Sequence, residues 1–130
     1  MSNSHPLTHG AWQYGPNVIE IGGVNVQEAK PLPANLQQYL DKASNGAVLV
    51  SFGSLLLPSQ MEPEQLEMVL DTFRSLPQYS FIWRCDIDID NMPKNVLTSN
   101  WLPQQDILAH PNLRVFVTHG GIGSLSEVRQ

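Results

Sequence analysis

The chain has 130 residues, with 7 Lys and Arg against 12 Asp and Glu, which gives a formal net charge of −5 at pH 7. Its 42% hydrophobic and 15% charged residues belong to a packed globular domain and exclude the charge-rich disordered class. The acidic balance without any Lys/Arg cluster excludes nucleic acid as a partner and an electrostatic membrane anchor, and a single cysteine, Cys85, can form neither an internal disulfide nor a cysteine-based metal site.

In chain order, residues 1–17 form an irregular lead-in punctuated by Pro, Gly, His and Asn, in which His5 and His9 read as solvent-exposed. Met1 to Pro6 is polar and lacks the basic and apolar regions of a secretory signal, and no apolar run approaches the ~20 residues of a membrane helix. The ordered domain is expected over 18–130. Val18 to Ile21 reads as a short strand stopped by Gly22-Gly23, and Pro33 to Ala43 as a helix with Leu36, Tyr39 and Leu40 on one face. Ala47 to Phe52 is a nearly continuous apolar run, the pattern of a strand covered on both faces. Pro63 to Leu76 is the best helix, with Leu66, Val69, Leu70, Phe73 and Leu76 at helical spacing. Ser80 to Arg84 and Asn95 to Thr98 are further strands, Gln104 to His110 a short helix, and Arg114 to Thr118 a last strand before a helix beginning near Ile122. His110 fits the end of its helix, where a His favours the dipole. This alternation predicts right-handed βαβ units, hence an α/β fold with a parallel, doubly wound, Rossmann-like sheet. The chain stops at Gln130 inside that newly begun helix, the pattern of a fragment whose final strand leaves an apolar edge open to aggregation.

In such a sheet ligands bind outside the carboxyl ends of the strands, and three turns there carry suitable chemistry. His119-Gly120-Gly121-Ile122-Gly123-Ser124 offers glycines that admit a phosphate to the backbone, amides at a helix start, a hydroxyl from Ser124 and a donor or positive charge from His119. The same glycines would also serve a plain strand-to-helix turn. Trp101-Leu102-Pro103-Gln104 places an aromatic that can stack a flat base beside an amide that can bond a sugar or base edge; a Trp closing a loop is the alternative. Gly53-Ser54 follows the apolar strand in the same way. Three such turns at one edge suit one ligand with base, sugar and phosphates. Gly121 to Ser126 matches only the first two glycines of a dinucleotide fingerprint, with Ser126 at the third, and no Gly-Lys-Ser/Thr follows, so an NAD-type domain is disfavoured and a P-loop excluded over this stretch. Asp86-Ile87-Asp88-Ile89-Asp90-Asn91 imitates a calcium loop, but Asn91 stands for the required Gly and Leu97 for the bidentate Glu, so it reads as a solvated acidic loop. No metal site is expected, and Cys85 reads as a small buried hydrophobe.

The block Trp101 to Pro111, continuing through Phe116-Val117-Thr118-His119-Gly120-Gly121 to Ser124 and Glu127, resembles the signature of the UDP-glycosyltransferases, the UDP-glucuronosyltransferase family. Pro16 to Gly23, Lys30-Pro31-Leu32-Pro33 and Val50 to Ser54 resemble successive landmarks of the same family, so the resemblance covers nearly all of the chain from Pro16. It implies part of the C-terminal, donor-binding domain of a two-domain GT-B fold. It further implies transfer of a hexosyl or glucuronosyl group, with inversion, from UDP-glucose or UDP-glucuronate as co-substrate to a small lipophilic acceptor, without another cofactor. Trp101 would stack on the uracil, Gln104 would bond the ribose or base, and Glu127 would accept from the ribose hydroxyls. Ser54, His119, Ser124 and the backbone at Gly120, Gly121 and Gly123 would hold the diphosphate, with amides replacing the Asn that relatives carry at or beside Gly123. The family's catalytic base is a His supported by an Asp on the N-terminal acceptor domain, so no catalytic residue is expected in this chain, which alone would be inactive. An endoplasmic reticulum membrane location, lumenal side, is likewise implied, with attachment through a C-terminal region beyond Gln130. The alternative is a non-catalytic remnant acting as a UDP-binding or interaction module.

Overall fold

The computed structural model describes residues 10, 15–19, 21, 27–53 and 56–128. Ser54, Gly22-Gly23, His5 and His9 lie outside the described residues. The elements are α1 (Ala34–Asp41), β1 (Ala47–Ser51), a 3-10 turn (Pro58–Gln60), α2 (Pro63–Ser75), β2 (Ser80–Arg84), β3 (Val96–Ser99), α3 (Gln104–Leu108), β4 (Leu113–Thr118) and α4 (Ile122–Glu127). Every helix and strand expected from Pro33 onward is present, with ends moved by at most a few residues.

All pairings are parallel, in the order β3-β2-β1-β4. The register sets Val48 beside Phe81 and Val115, and Val50 beside Trp83 and Val117. Because side chains alternate across a strand, β1 sends Ala47 and Leu49 to one face and Val48 and Val50 to the other. The first face joins Leu36 and Leu40 of α1, Ile82, Leu102 and Ile107 of α3 in one core; the second joins Leu70 and Phe73 of α2 with Val50, Phe81, Trp83 and Cys85. The sheet is therefore covered on both sides, as the unbroken apolar run of β1 requires. In the second core the ring of Phe73 lies with its centroid 4.6 Å from Phe81 and 5.4 Å from the fully buried Trp83, the latter edge-on. Val115 and Val117 of β4, on the same face, remain 50% and 39% exposed.

Polar groups close the joints. Asn95 donates from Nδ2 to the carbonyls of Phe73, Leu76 and Tyr79, satisfying the end of α2. Gln65 accepts the N–H of Glu62 at the start of the same helix, where Pro63 supplies the fixed φ of a first position. The segment before α1 is tied to α3 by Lys30 N–H donating to Asp106 Oδ1 at 2.8 Å and Gln105 Nε2 donating to the Gln27 carbonyl at 2.7 Å. After β2, the Asp86 carboxylate accepts both the N–H (3.1 Å) and the hydroxyl of Ser59, fastening the 3-10 turn and thereby the loop that follows β1. The Ser59 hydroxyl bond in particular lowers the pKa of Asp86 below the usual carboxylate range. Cys85 is buried, its thiol pushed up by desolvation, which makes it the packing residue its sequence context predicts.

One expectation is corrected. Val18, Ile19 and Ile21 are not in a strand: Val18 donates its N–H to the Gly15 carbonyl in a turn and Ile19 is 62% exposed, and among the described residues no strand pairs with them. His110 directly follows the C-cap residue Ala109 of α3, donates its N–H to the Ile107 carbonyl at 3.1 Å and is buried. Its Nδ1 accepts the N–H of Asn112 at 3.2 Å, which assigns the ring proton to Nε2, and this donates to Asp41 Oδ1 at 3.2 Å, joining α1 to the start of β4.

Replacing Phe73 with Ala is expected to remove about 3–5 kcal/mol of stability, read as a lowered urea midpoint. Asp86 has a depressed folded-state pKa, so its contribution is present above the unfolded value of about 3.9 and is lost as pH falls through the folded value. The midpoint difference between the unmodified chain and Asp86→Asn should therefore be present near neutral pH and close as pH falls through the acid range; a constant difference contradicts this role.

Candidate functional site

The order β3-β2-β1-β4 reverses between β1 and β4, and a crevice opens at such a reversal outside the carboxyl ends of the strands. There the structure has a cleft of about 300 Å³ lined by the ends of β1 and β2 and by the segments that follow β1, β3 and β4. Ser51 and Gly53 come from the end of β1 and its turn, Arg84 from the end of β2, Trp101, Leu102 and Gln104 from the β3–α3 turn, and Gly123, Ser124 and Glu127 from α4. A second hollow of about 440 Å³, lined by Lys30, Glu28 and the same Trp101, Gln104 and Glu127, adjoins it.

Trp101 stands at the junction with 67% of its surface exposed, so it closes no loop by burial. Its backbone is nonetheless fixed: Ser99 Oγ donates to its carbonyl at 2.6 Å and accepts its N–H at 3.4 Å. A large aromatic face held by its main chain and open to solvent can stack a flat ring without ordering a loop first. Gln104, the first residue of α3, reaches across to α4, where its Nε2 donates to Glu127 Oε2 at 2.6 Å and to Ser124 Oγ at 3.3 Å. These three polar groups converge in a partly buried place, so the amide offsets the desolvation of the carboxylate. The Ser124 residue is only 9% exposed.

His119, Gly120 and Gly121 are not among the cleft-lining residues; they make the turn from β4 into α4. Gly120 takes the left-handed backbone, φ +75°, and donates its N–H to Thr118 Oγ1 at 3.4 Å. The His119 ring lies against Gly53 and Gly121, close enough that a Cβ on either would come within 2.6 Å of it. Through Gly53 it touches the cleft wall. Of the sequence-derived residues, then, the structure brings together Trp101, Gln104, Gly123, Ser124 and Glu127 and sets His119 to Gly121 beside them. Sequence reasoning missed Arg84. Its Nε donates to the Asn100 carbonyl at 3.3 Å, and it brings a permanent positive charge into the cleft. The available signal was its place at the carboxyl end of a strand, the edge already singled out for ligands.

Comparison with known proteins gives a consistent picture. The family model described as UDP-glucoronosyl and UDP-glucosyl transferase matches residues 10–128. The UDP-glucosyltransferase 2 of Dactylopius coccus is 35% identical over 127 residues, covering 97% of this chain and 24% of the relative. The human UDP-glucuronosyltransferase 3A2 is 39% identical over 122 residues, covering 88% of this chain and 23% of the relative. Among solved structures, Arabidopsis thaliana UGT89C1 complexed with UDP superimposes with a TM-score of 0.54 at 25% identity, over 78% of this chain and 26% of that one. The chain spans about a quarter of the length of the curated relatives it matches. Its parallel α/β architecture is that of the GT-B glycosyltransferases.

The contact between Gln104 and Glu127 predicts an asymmetry between variants. Gln104→Glu sets two carboxylates against each other and should lose about 1–3 kcal/mol by urea denaturation, more than Gln104→Ala, and a second change Glu127→Gln should restore most of it. Equal losses for both replacements would show that the contact carries no charge-dependent energy.

Proposed function

Because the chain belongs to the UDP-glucoronosyl and UDP-glucosyl transferase family, whose co-substrates are UDP-sugars, we propose that its cleft binds the UDP moiety of the donor. The observation that carries the reading is the exposed, backbone-fixed Trp101 beside the Gln104–Glu127 pair, an aromatic plane next to a carboxylate at the carboxyl edge of a parallel sheet. In this reading the uracil stacks on Trp101 and Gln104 bonds the base or ribose. Glu127 uses Oε2 on Gln104 and accepts the ribose hydroxyls at Oε1. Ser124, His119, Ser54 and the backbone N–H groups of Gly120, Gly121 and Gly123 hold the diphosphate, and Arg84 adds charge that complements it.

The chemistry this arrangement supports is departure of UDP. Cleaving the bond between the sugar and the β-phosphate leaves a second negative charge on the β-phosphate, and fixed donors aimed at it stabilise that charge in a partly water-excluded cleft. Transfer of the hexosyl or glucuronosyl group to a small lipophilic acceptor, with inversion, is the activity we assign to the whole protein. The acceptor site and the His that takes the acceptor proton belong to an N-terminal domain outside these residues, so this chain alone binds the donor without transferring the sugar. Residence on the lumenal side of the endoplasmic reticulum membrane is part of the same reading. No helix among the described residues is long and apolar enough to cross a membrane.

Titration of the full chain with UDP, followed by calorimetry, tests the proposal. Trp101→Ala should weaken binding by about 1–3 kcal/mol, the usual worth of a base stacked on an aromatic ring, with an unchanged urea midpoint. Absence of UDP binding, or unchanged affinity in the variant, would overturn the nucleotide site or the stacking role respectively.

A further inference from the structure

His119 is exposed, and among the described residues no hydrogen bond holds its ring. An imidazole at the end of two rotatable bonds in such a place would ordinarily sample several rotamers. Here two main-chain surfaces confine it. A Cβ built on Gly53 would meet His119 Cε1 at 2.6 Å, and one built on Gly121 would meet Nε2 at 2.6 Å and Cε1 at 3.0 Å, so the Cε1–Nε2 edge of the ring occupies the space of both absent methyl groups. The two glycines differ in what else demands them. Gly53 has φ +71°, a conformation that by itself favours glycine. Gly121 has φ −60° and ψ 150°, ordinary backbone for any residue. At Gly121 the described structure therefore gives one reason for glycine, the imidazole lying against it.

We propose that Gly53 and Gly121 form a slot that positions the His119 imidazole at the cleft margin, so that the lack of a side chain at each acts on the ligand through His119. The inference rests on the UDP-binding reading and goes beyond it in making these two residues determinants of where the imidazole is held. The slot couples turns that are far apart in sequence: Gly53 follows β1, whereas His119 and Gly121 follow β4, and the two strands are neighbours in the sheet. Adding a methyl at Gly121 meets the end of a movable side chain, so the ring swings out while the backbone keeps its path.

Gly121→Ala, His119→Ala and the double variant of the full chain, titrated with UDP, form the test. Gly121→Ala should weaken UDP binding about tenfold when His119 is present and less than about twofold in the His119→Ala background, the size expected when a hydrogen bond to a charged group is misplaced. Nuclear Overhauser contacts between the His119 Cε1 proton and the α-protons of Gly53 and Gly121 should be present in the unmodified chain. In Gly121→Ala the contact to Gly53 should be lost, with the remaining amide spectrum little changed. Equal weakening in both His119 backgrounds would show that the methyl group disturbs the ligand directly, and missing contacts in the unmodified chain would show that the slot does not hold the ring; either result overturns the inference while leaving UDP binding intact. Failure of the unmodified chain to bind UDP would overturn the nucleotide reading and the ligand-positioning role with it.

Discussion

Because β1 pairs in parallel with both β2 and β4, and β2 in parallel with β3, all four strands deliver their carboxyl ends to one edge of the sheet. The strand ends, turns and helices at that edge carry the residues of the cleft, and the opposite edge carries joints such as the His110–Asp41 contact. Parallel pairing also determines the packing. Successive parallel strands need crossovers, those before β2 and β4 lay α2 and α3 on opposite faces, and a strand buried on both faces must be apolar throughout. The two cores on either side of β1 express one constraint, and the turns beyond the strands are left for polar work.

Much of this arrangement is legible in the sequence. The repeat of Leu66, Leu70 and Phe73 determines a helix whose inner face is buried, and the run from Ala47 to Val50 admits few readings other than a covered strand. Val18 to Ile21 shows the limit. Its β-branched residues have strand propensity, yet a strand exists only through its neighbours, and nothing in the local pattern says whether a partner is there. The 3-10 turn at Pro58 has a partner that is equally hard to foresee, since it is fastened by Asp86, a residue far along the chain that local reading assigns to a solvated loop. Asp86 is exposed and solvated as that reading requires, but its carboxylate also has a fixed partner.

The site divides along the same line. Trp101, Gln104, Ser124 and Glu127 can be picked out as chemically suitable residues in the right turns, and the family resemblance assigns roles to them. The direct bond from Gln104 to Glu127 is another matter, because it joins the first turn of α3 to the last of α4 across 23 residues and exists only once both helices are docked. Arg84 is hidden differently: in sequence it is the last residue of an aromatic-rich strand, and it becomes a cleft residue only because β2 lies inside the sheet, between β3 and β1. Chemistry at this edge is thus readable one turn at a time, whereas the coupling between turns belongs to the topology.

The order β3-β2-β1-β4 has a further consequence, for the rate at which the domain forms. Among the described residues the second neighbour of β1 is β4, which follows every other strand described, so during synthesis β1 waits with that flank unpaired while α2, β2, β3 and α3 emerge. Long-range parallel pairing incurs its loop-closure entropy before any contact repays it, which places such sheets among the slower folders. The reversal that creates the cleft therefore also makes its completion a late event: Gly123, Ser124 and Glu127 can meet Trp101 and Gln104 only after β4 has found β1, and a chaperone or a neighbouring nascent chain has that interval in which to reach the exposed flank.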